Sequence, residues 1–317
     1  MNHPATRRTF FQRSALVTGG FLLPNEGAQS APPNETIKTI RSLRSIHGNF
    51  LDKPIPEQAL ETILQSSLRA ANASNNQSYS IIVVKNRPMM KSVCGYQGGC
   101  VLVYCADYTR LKVCAETMGY SYDPKTIVDF VTASTNATLA AQTAVIAARS
   151  LGIDSLLTNG IHRGDMDRLW KLLDLPPTHC FPVIALVLGY PTQEPDHLKG
   201  RLDGPGVIHS EKYHALTKDE VGEIILKYDD KNRRLALNDD WGGKYKHYLD
   251  WFFGDWMGLR SKPADQETQM LRLFEAQPLR RAAAGLTDTP WRTLQRAVSA
   301  LVPTQMLPRR QLDPGRP

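Results

Sequence analysis

The run Phe181-Pro182-Val183-Ile184-Ala185-Leu186-Val187-Leu188 carries no charged side chain and stops at Gly189-Tyr190-Pro191. Aliphatic and β-branched residues bounded by turn formers read as a β-strand, and this is the clearest one in the chain. Tyr79 to Val84 is a second, β-branched and buried in character. Cys100 to Cys105, entered through Gly98-Gly99, is a third, and Ile153 to Leu157 a fourth. Helical spacing of apolar residues appears over Thr36–Ile46 and Glu57–Ala71. Asn136–Leu151, rich in Ala and closed by Gly152, and Asp165–Leu173, ended by Pro176-Pro177, are further helices. Helices and strands alternate without a regular βαβ rhythm, which predicts an α+β fold over a doubly wound sheet. Hydrophobic residues make up 42% and charged residues 22%, so the chain can bury a sizeable core.

The first thirty residues read as an address outside the fold. Thr6-Arg7-Arg8-Thr9-Phe10-Phe11-Gln12 has the form of a twin-arginine signal. The apolar stretch Ser14–Leu23 is too short to span a bilayer, and Ala28-Gln29-Ser30 offers small residues for cleavage. Losing three arginines and one glutamate with this segment takes the formal charge from +7 to +5. The expected location is the periplasm of a bacterium. The twin-arginine route carries folded proteins, which suits a chain that must load a cytoplasmic cofactor before it leaves.

A charge of this size, without a nucleic-acid-binding motif, argues against nucleic acid as a partner. The five cysteines, Cys94, Cys100, Cys105, Cys114 and Cys180, form no C-x-x-C pair and no zinc spacing. They read as packing residues, and no metal site is expected.

Three polar segments stand beside confident elements. Arg44-Ser45-Ile46-His47 closes the first helix and offers a cation and donors for a phosphate or a carbonyl. Asn75-Asn76-Gln77 precedes the Tyr79 strand, where amides can pair with the donors and acceptors of a heterocycle. Lys199-Gly200-Arg201 sets two cations around a glycine.

Taken in order, these segments resemble the nitroreductase family. Arg44-Ser45-Ile46-His47 followed by Asp52-Lys53-Pro54-Ile55-Pro56 is similar to its R-x-S-x-K/R segment and D-K-P-V/I-P turn. Ala73-Ser74-Asn75-Asn76-Gln77-Ser78-Tyr79 resembles its S-G-N-x-Q-P-W segment. Asn136–Gly160 resembles its central helix and the glycine that follows. Phe181–Pro191 is similar to its last strand, and Lys199-Gly200-Arg201 falls where the family has K-x-R. The resemblance covers about residues 36–230.

The resemblance implies a central, mostly antiparallel sheet flanked by helices, and a homodimer with FMN at the subunit interface. It implies that Arg44, Ser45, Lys199 and Arg201 hold the FMN phosphate and ribityl chain. His47 would lie by the pyrimidine edge, where a donating group stabilises the charge of reduced flavin. Asn75 and Gln77 would supply amides to the ring or ribityl chain. Thr158, Asn159 and Gly160 would pass the N5 edge, where hydride arrives and leaves. No protein acid or base is expected, because the flavin carries the chemistry. The sequence departs from the family in having Leu43 where many members have a phosphate-binding arginine, a role left to Arg41 or Arg44. It also has His47 for the commoner Lys or Arg, and one extra residue between His47 and Phe50.

Towards the C-terminus, Trp241, Tyr245, Tyr248, Phe252 and Trp256 recur at spacings that predict one aromatic helix face, packed on the domain or on a dimer partner. Residues 261–317 carry nine basic and five acidic residues and one short basic amphipathic helix. They read as a partly disordered tail, or as an element docking on a membrane surface or partner. The expected organisation is therefore signal 1–30, flavin domain 31–230, aromatic helix 231–260 and tail 261–317. The expected activity is an FMN-dependent oxidoreductase reducing a small organic acceptor such as a nitroaromatic or quinone. Export would part it from NAD(P)H and imply another donor. The alternatives are a flavin carrier or sensor without turnover, and a redox subunit docked to a membrane complex.

Overall fold

The computed structural model describes residues 34–257. The twin-arginine segment and the basic tail lie outside the described residues. Strands β1 (Tyr79–Val84), β2 (Cys100–Asp107), β3 (Asp154–Thr158) and β4 (Cys180–Gly189) form one sheet in the order β1-β2-β4-β3. Every neighbouring pair is antiparallel, and a bulge interrupts the β2–β4 ladder between Tyr104 and Cys105. All of β2 and nearly all of β4 is buried. A strand covered on both faces has no reason to alternate, which is why the Phe181–Leu188 run is continuously apolar.

The described residues hold eight α-helices: α1 (Glu35–Arg41), α2 (Glu57–Ser67), α3 (Arg87–Cys94), α4 (Thr109–Thr117), α5 (Ile127–Ser150), α6 (Met166–Leu173), α7 (Lys218–Asp229) and α8 (Tyr248–Trp251). Helix α5 touches all four strands, and α2 packs on it. Its buried stripe is almost entirely alanine: Ala133, Ala137, Ala140, Ala141, Ala144 and Ala148. Side chains this small let the backbones of sheet and helix approach closely. The one polar residue on the stripe is Asn136.

The structure corrects four expectations. Helix α5 begins nine residues before Asn136, at a capping box in which the Thr126 hydroxyl accepts from the Asp129 amide and the Asp129 carboxylate accepts from the Thr126 amide. Helix α1 stops at Arg41, so Arg44–His47 is an extended segment beside β3, with Ser45 bridged to Ser155. The aromatic period of 241–256 is no single helix. Trp241 sits in a 3-10 turn, and α8 runs into a π-helical turn at Phe252–Trp256. Gly242, Gly243 and Gly254 interrupt the helix that the spacing suggested. Trp241 and Tyr248 instead build a small cluster of their own with Ala236, against Tyr228 of α7. Helices α3, α4 and α7 stand where no element was expected.

Of the cysteines, Cys94, Cys100, Cys105 and Cys180 are buried and Cys114 is exposed. Burial pushes the Cys100 thiol up to about 12, and a contact with Cys105 together with burial raises Cys180. Burial raises the Cys94 thiol as well, and a thiol held protonated is a poor nucleophile, so Cys94, Cys100 and Cys180 act as core residues.

Candidate functional site

The loop from Asn72 to Ser78 is the most constrained of the expected site segments. Ser74, Asn75 and Gln77 all have left-handed backbones, with φ of 51°, 52° and 50°. For residues with a Cβ such conformations cost on the order of 1 kcal/mol each and persist only where the surroundings impose them. Asn136 imposes them here. Its Oδ1 accepts from the Ala73 amide at 3.0 Å, and its Nδ2 donates to Asn76 Oδ1 at 3.1 Å and to Ser78 Oγ at 2.9 Å. The Asn72 side chain accepts from the Gln77 amide at 3.0 Å, and Arg110 donates to the Gln77 carbonyl. The loop turns the Asn75 and Gln77 side chains to the outside, where both are exposed.

Arg44 is paired within the protein. Its guanidinium makes a two-pronged ion pair with Asp154, at 2.9 and 2.6 Å, and reaches Glu194 at 2.6 Å. Arg149 donates to the same Asp154 at 3.0 Å. Asp154 is 3% exposed, and its hydrogen bonds raise the Arg44 pKa further above the ordinary range. The network ties the Arg44–His47 segment to the head of β3. Arg44 is thereby a buttress for the segment, while Ser45 and His47 face outward. Arg41, the other substitute for the missing arginine, is exposed on α1.

Three residues beyond Ser155, Thr158 Oγ1 accepts from the Gly160 amide at 2.9 Å and fixes the turn that leaves β3. A Cβ on Gly160 would lie 2.5 Å from the Cys94 carbonyl oxygen, so only glycine lets this turn approach the end of α3. Asn159 stands exposed on the turn.

Lys199 and Arg201 are exposed on the loop after β4, with their side chains folded back onto backbone carbonyls. Lys199 Nζ donates to the carbonyls of Ala236 at 2.8 Å and Leu237 at 3.2 Å, and Arg201 donates to those of Lys199 and Gly200. Gly200 lies flat on the 233–237 strip. Its amide donates to Arg234 O, and an added Cβ would fall 1.9 Å from Arg233 O.

The structure thus brings Ser45 and His47 together with the strand that leads to Thr158, Asn159 and Gly160. It holds the Asn75–Gln77 loop on α5 and the Lys199–Arg201 loop on the C-terminal strip. Among the described residues no hydrogen bond joins these three groups. The donor set fits FMN: Ser45, His47, Asn75, Gln77 and Asn159 offer a hydroxyl, an imidazole and three amides whose side chains make no hydrogen bond among the described residues. Sequence reasoning missed Asn136, Asp154 and Arg149, the residues that hold the segments in place. Asn136 was detectable as the only amide on an alanine stripe.

No protein-family model matches the chain. It is 31% identical over 206 residues to an FMN reductase (NADPH) of Bacillus subtilis, covering 62% of this chain and 81% of that protein. It is 29% identical over 205 residues to an oxygen-insensitive NADPH nitroreductase of Salmonella typhimurium, covering 62% of this chain and 80% of that one. Among solved structures, NfrA1 of B. megaterium superposes with a TM-score of 0.65 at 28% identity, covering 76% of this chain and 98% of that one. The NfrA1 nitroreductase of B. subtilis gives 0.64 at 26% identity, covering 75% and 98%.

Proposed function

Because the chain belongs to the nitroreductase family of NADPH-dependent flavin oxidoreductases, we propose that its three segments converge on one FMN and that it passes reducing equivalents to a small nitroaromatic or quinone. The chain is an FMN-dependent oxidoreductase with NAD(P)H as donor, which corrects the other donor expected from export. When bound, FMN supplies the hydride chemistry at its N5. The protein's part is to bind, orient and polarise. In this reading Ser45 holds the phosphate end and His47 donates to the pyrimidine edge. Asn75 and Gln77 supply amides to the ring or ribityl chain, and the Thr158–Gly160 turn forms the wall beside N5. Lys199 and Arg201 join the phosphate by leaving their backbone carbonyls. The observation that carries the reading is the strained 74–77 loop, held by a buried amide so that two others face out. Strain of this kind is retained where a site needs a fixed shape.

The experiment is the absorbance spectrum of the purified chain before and after NADPH. A flavin spectrum that NADPH bleaches is expected. A colourless protein that does not take up added FMN overturns the reading.

The same reading includes a homodimer. Exposed Val128, Val131 and Leu139, at helical spacing on α5, support it, since a second copy would cover them. Light scattering at the protomer mass would count against it. It also includes export through the twin-arginine segment with FMN already loaded, supported by Arg7-Arg8 and the small-residue exit at Ala28-Gln29-Ser30. Cell fractionation of wild type beside Arg7→Lys/Arg8→Lys tests this, with periplasmic protein expected only for wild type.

A further inference from the structure

Between the C-terminal end of α3 and the start of α6 lies an open cleft of about 460 Å³, bordered by Gly160. That is within the size range of small-molecule sites. Its floor is apolar, made by the buried Val93, Ile161 and Leu169, and Tyr96 forms part of a wall. Its rim is basic. Arg163 and Asp165 on the rim cancel in charge, and Asp165 also caps α6. Lys91 on α3 and Arg168 on α6 remain. Arg168 reaches across to Ser92 Oγ at 3.4 Å, and neither cation has a carboxylate partner among the described residues. Two uncompensated cations over an apolar floor attract a flat apolar body that carries an anionic group.

We infer that this cleft is a subsite for the anionic substituent of an aromatic acceptor, a sulfonate or carboxylate held by Lys91 and Arg168. The inference rests on the reading that Gly160 borders the flavin, which places the cleft beside the reacting edge. An acceptor with its ring over Ile161 and its anion at the rim would be anchored outside the chemistry, and charge would then select among acceptors. The step needs no new reactant. A quinone gains two electrons and two protons: the donor loses a hydride, solvent gives the second proton, and the anionic group takes no part.

Two measurements on the full chain test this. With FMN and NADPH present, the KM for a naphthoquinone sulfonate relative to menadione is compared between wild type and Lys91→Ala/Arg168→Ala. Removing two exposed cations should raise that ratio about tenfold, and high salt should raise it in wild type alone. Separately, calorimetry measures naphthalenesulfonate, which cannot be reduced. Its Kd should weaken about tenfold in the double variant, whose melting temperature reports that it is folded. An unchanged KM ratio, or wild type that does not bind naphthalenesulfonate, overturns the inference. If wild type reduces neither quinone, the functional reading fails, and calorimetry still decides the subsite.

Discussion

The loops 72–78 and 199–201 both present polar groups expected at one cofactor, yet they are anchored in opposite ways. The first is gripped by Asn136, which is 2% exposed on the helix that covers the sheet. The second lies on the 233–237 strip, where Arg233 and Arg234 are exposed and only Ala236 joins a small satellite cluster. The Arg44–His47 segment belongs with the first, through the buried Asp154. Regions tied to the main core open with nearly the whole stability of the fold, and regions tied to satellites open locally. The 72–78 loop and the Ser45–His47 segment should thus be preformed, and the Lys199–Arg201 part of the phosphate side adjustable. Lys199 and Arg201 can exchange their carbonyl partners for a phosphate without disturbing the sheet.

The sharpest way to break the comparison is to attack the preformed side. Asp154→Ala leaves Arg44 and Arg149 largely buried without their shared carboxylate, and breaking such a pair costs about 3 kcal/mol. Urea unfolding should show a loss of stability of that size, as a lower midpoint with an unchanged slope. A loss below about 1 kcal/mol would mean that the network is looser than its geometry. Asn136→Ala comes next. It strands the Ala73 amide and releases Asn76 and Ser78, costing about 2 kcal/mol. It should also weaken FMN binding about tenfold, because the left-handed residues relax. Equal destabilisation with unchanged FMN affinity would show that the loop shape does not matter to the cofactor.

On the adjustable side the effects should be smaller. Gly200→Ala forces the loop off Arg233 O, but that strip is exposed and can move, so the cost should be about 1 kcal/mol. Hydrogen exchange should show faster opening of residues 199–201 and 233–237, with β2 and β4 unaffected. Spread of the effect into the sheet would erase the distinction between the two sides.

The same division separates what was legible in the sequence from what was not. The strands β1, β2 and β4 and the order of the polar segments could be read because each is local. The anchors could not: Arg44 and Asp154 are 110 residues apart, and nothing local marks their pairing. The front of α5 escaped because its capping box uses Asp129 where the usual signature has Glu or Gln. Helix α3 carried its marks, Asn86 as cap, Pro88 in the first turn and Gly95 past the end, but spans only eight residues. The aromatic period over 241–256 misled because spacing takes no account of the intervening glycines.

The smallest effect concerns α7, the helix under the satellite cluster. Its first turn is closed by Glu220, whose carboxylate accepts from the Thr217 amide at 2.8 Å, the Thr217 hydroxyl at 2.9 Å and His214 at 3.0 Å. The Thr217 amide contributes most to holding the Glu220 pKa at about 2, below the ordinary 4.5. A carboxylate depressed on folding stabilises the folded state fully above its unfolded pKa, and that contribution disappears as the pH falls through the folded value. The contribution should therefore be complete at pH 6, fade below about 4.5 and be gone below about 2. Glu220→Gln removes the titration but can keep the cap. Amide exchange within α7 should differ between wild type and variant at pH 6 and converge as the pH approaches 2. Because α7 supports the strip under Lys199 and not the sheet, exchange in β2 should be the same in both proteins. A difference there would place the C-terminal cluster in the same cooperative unit as the main core, and the 199–201 loop would then be as rigid as the 72–78 loop.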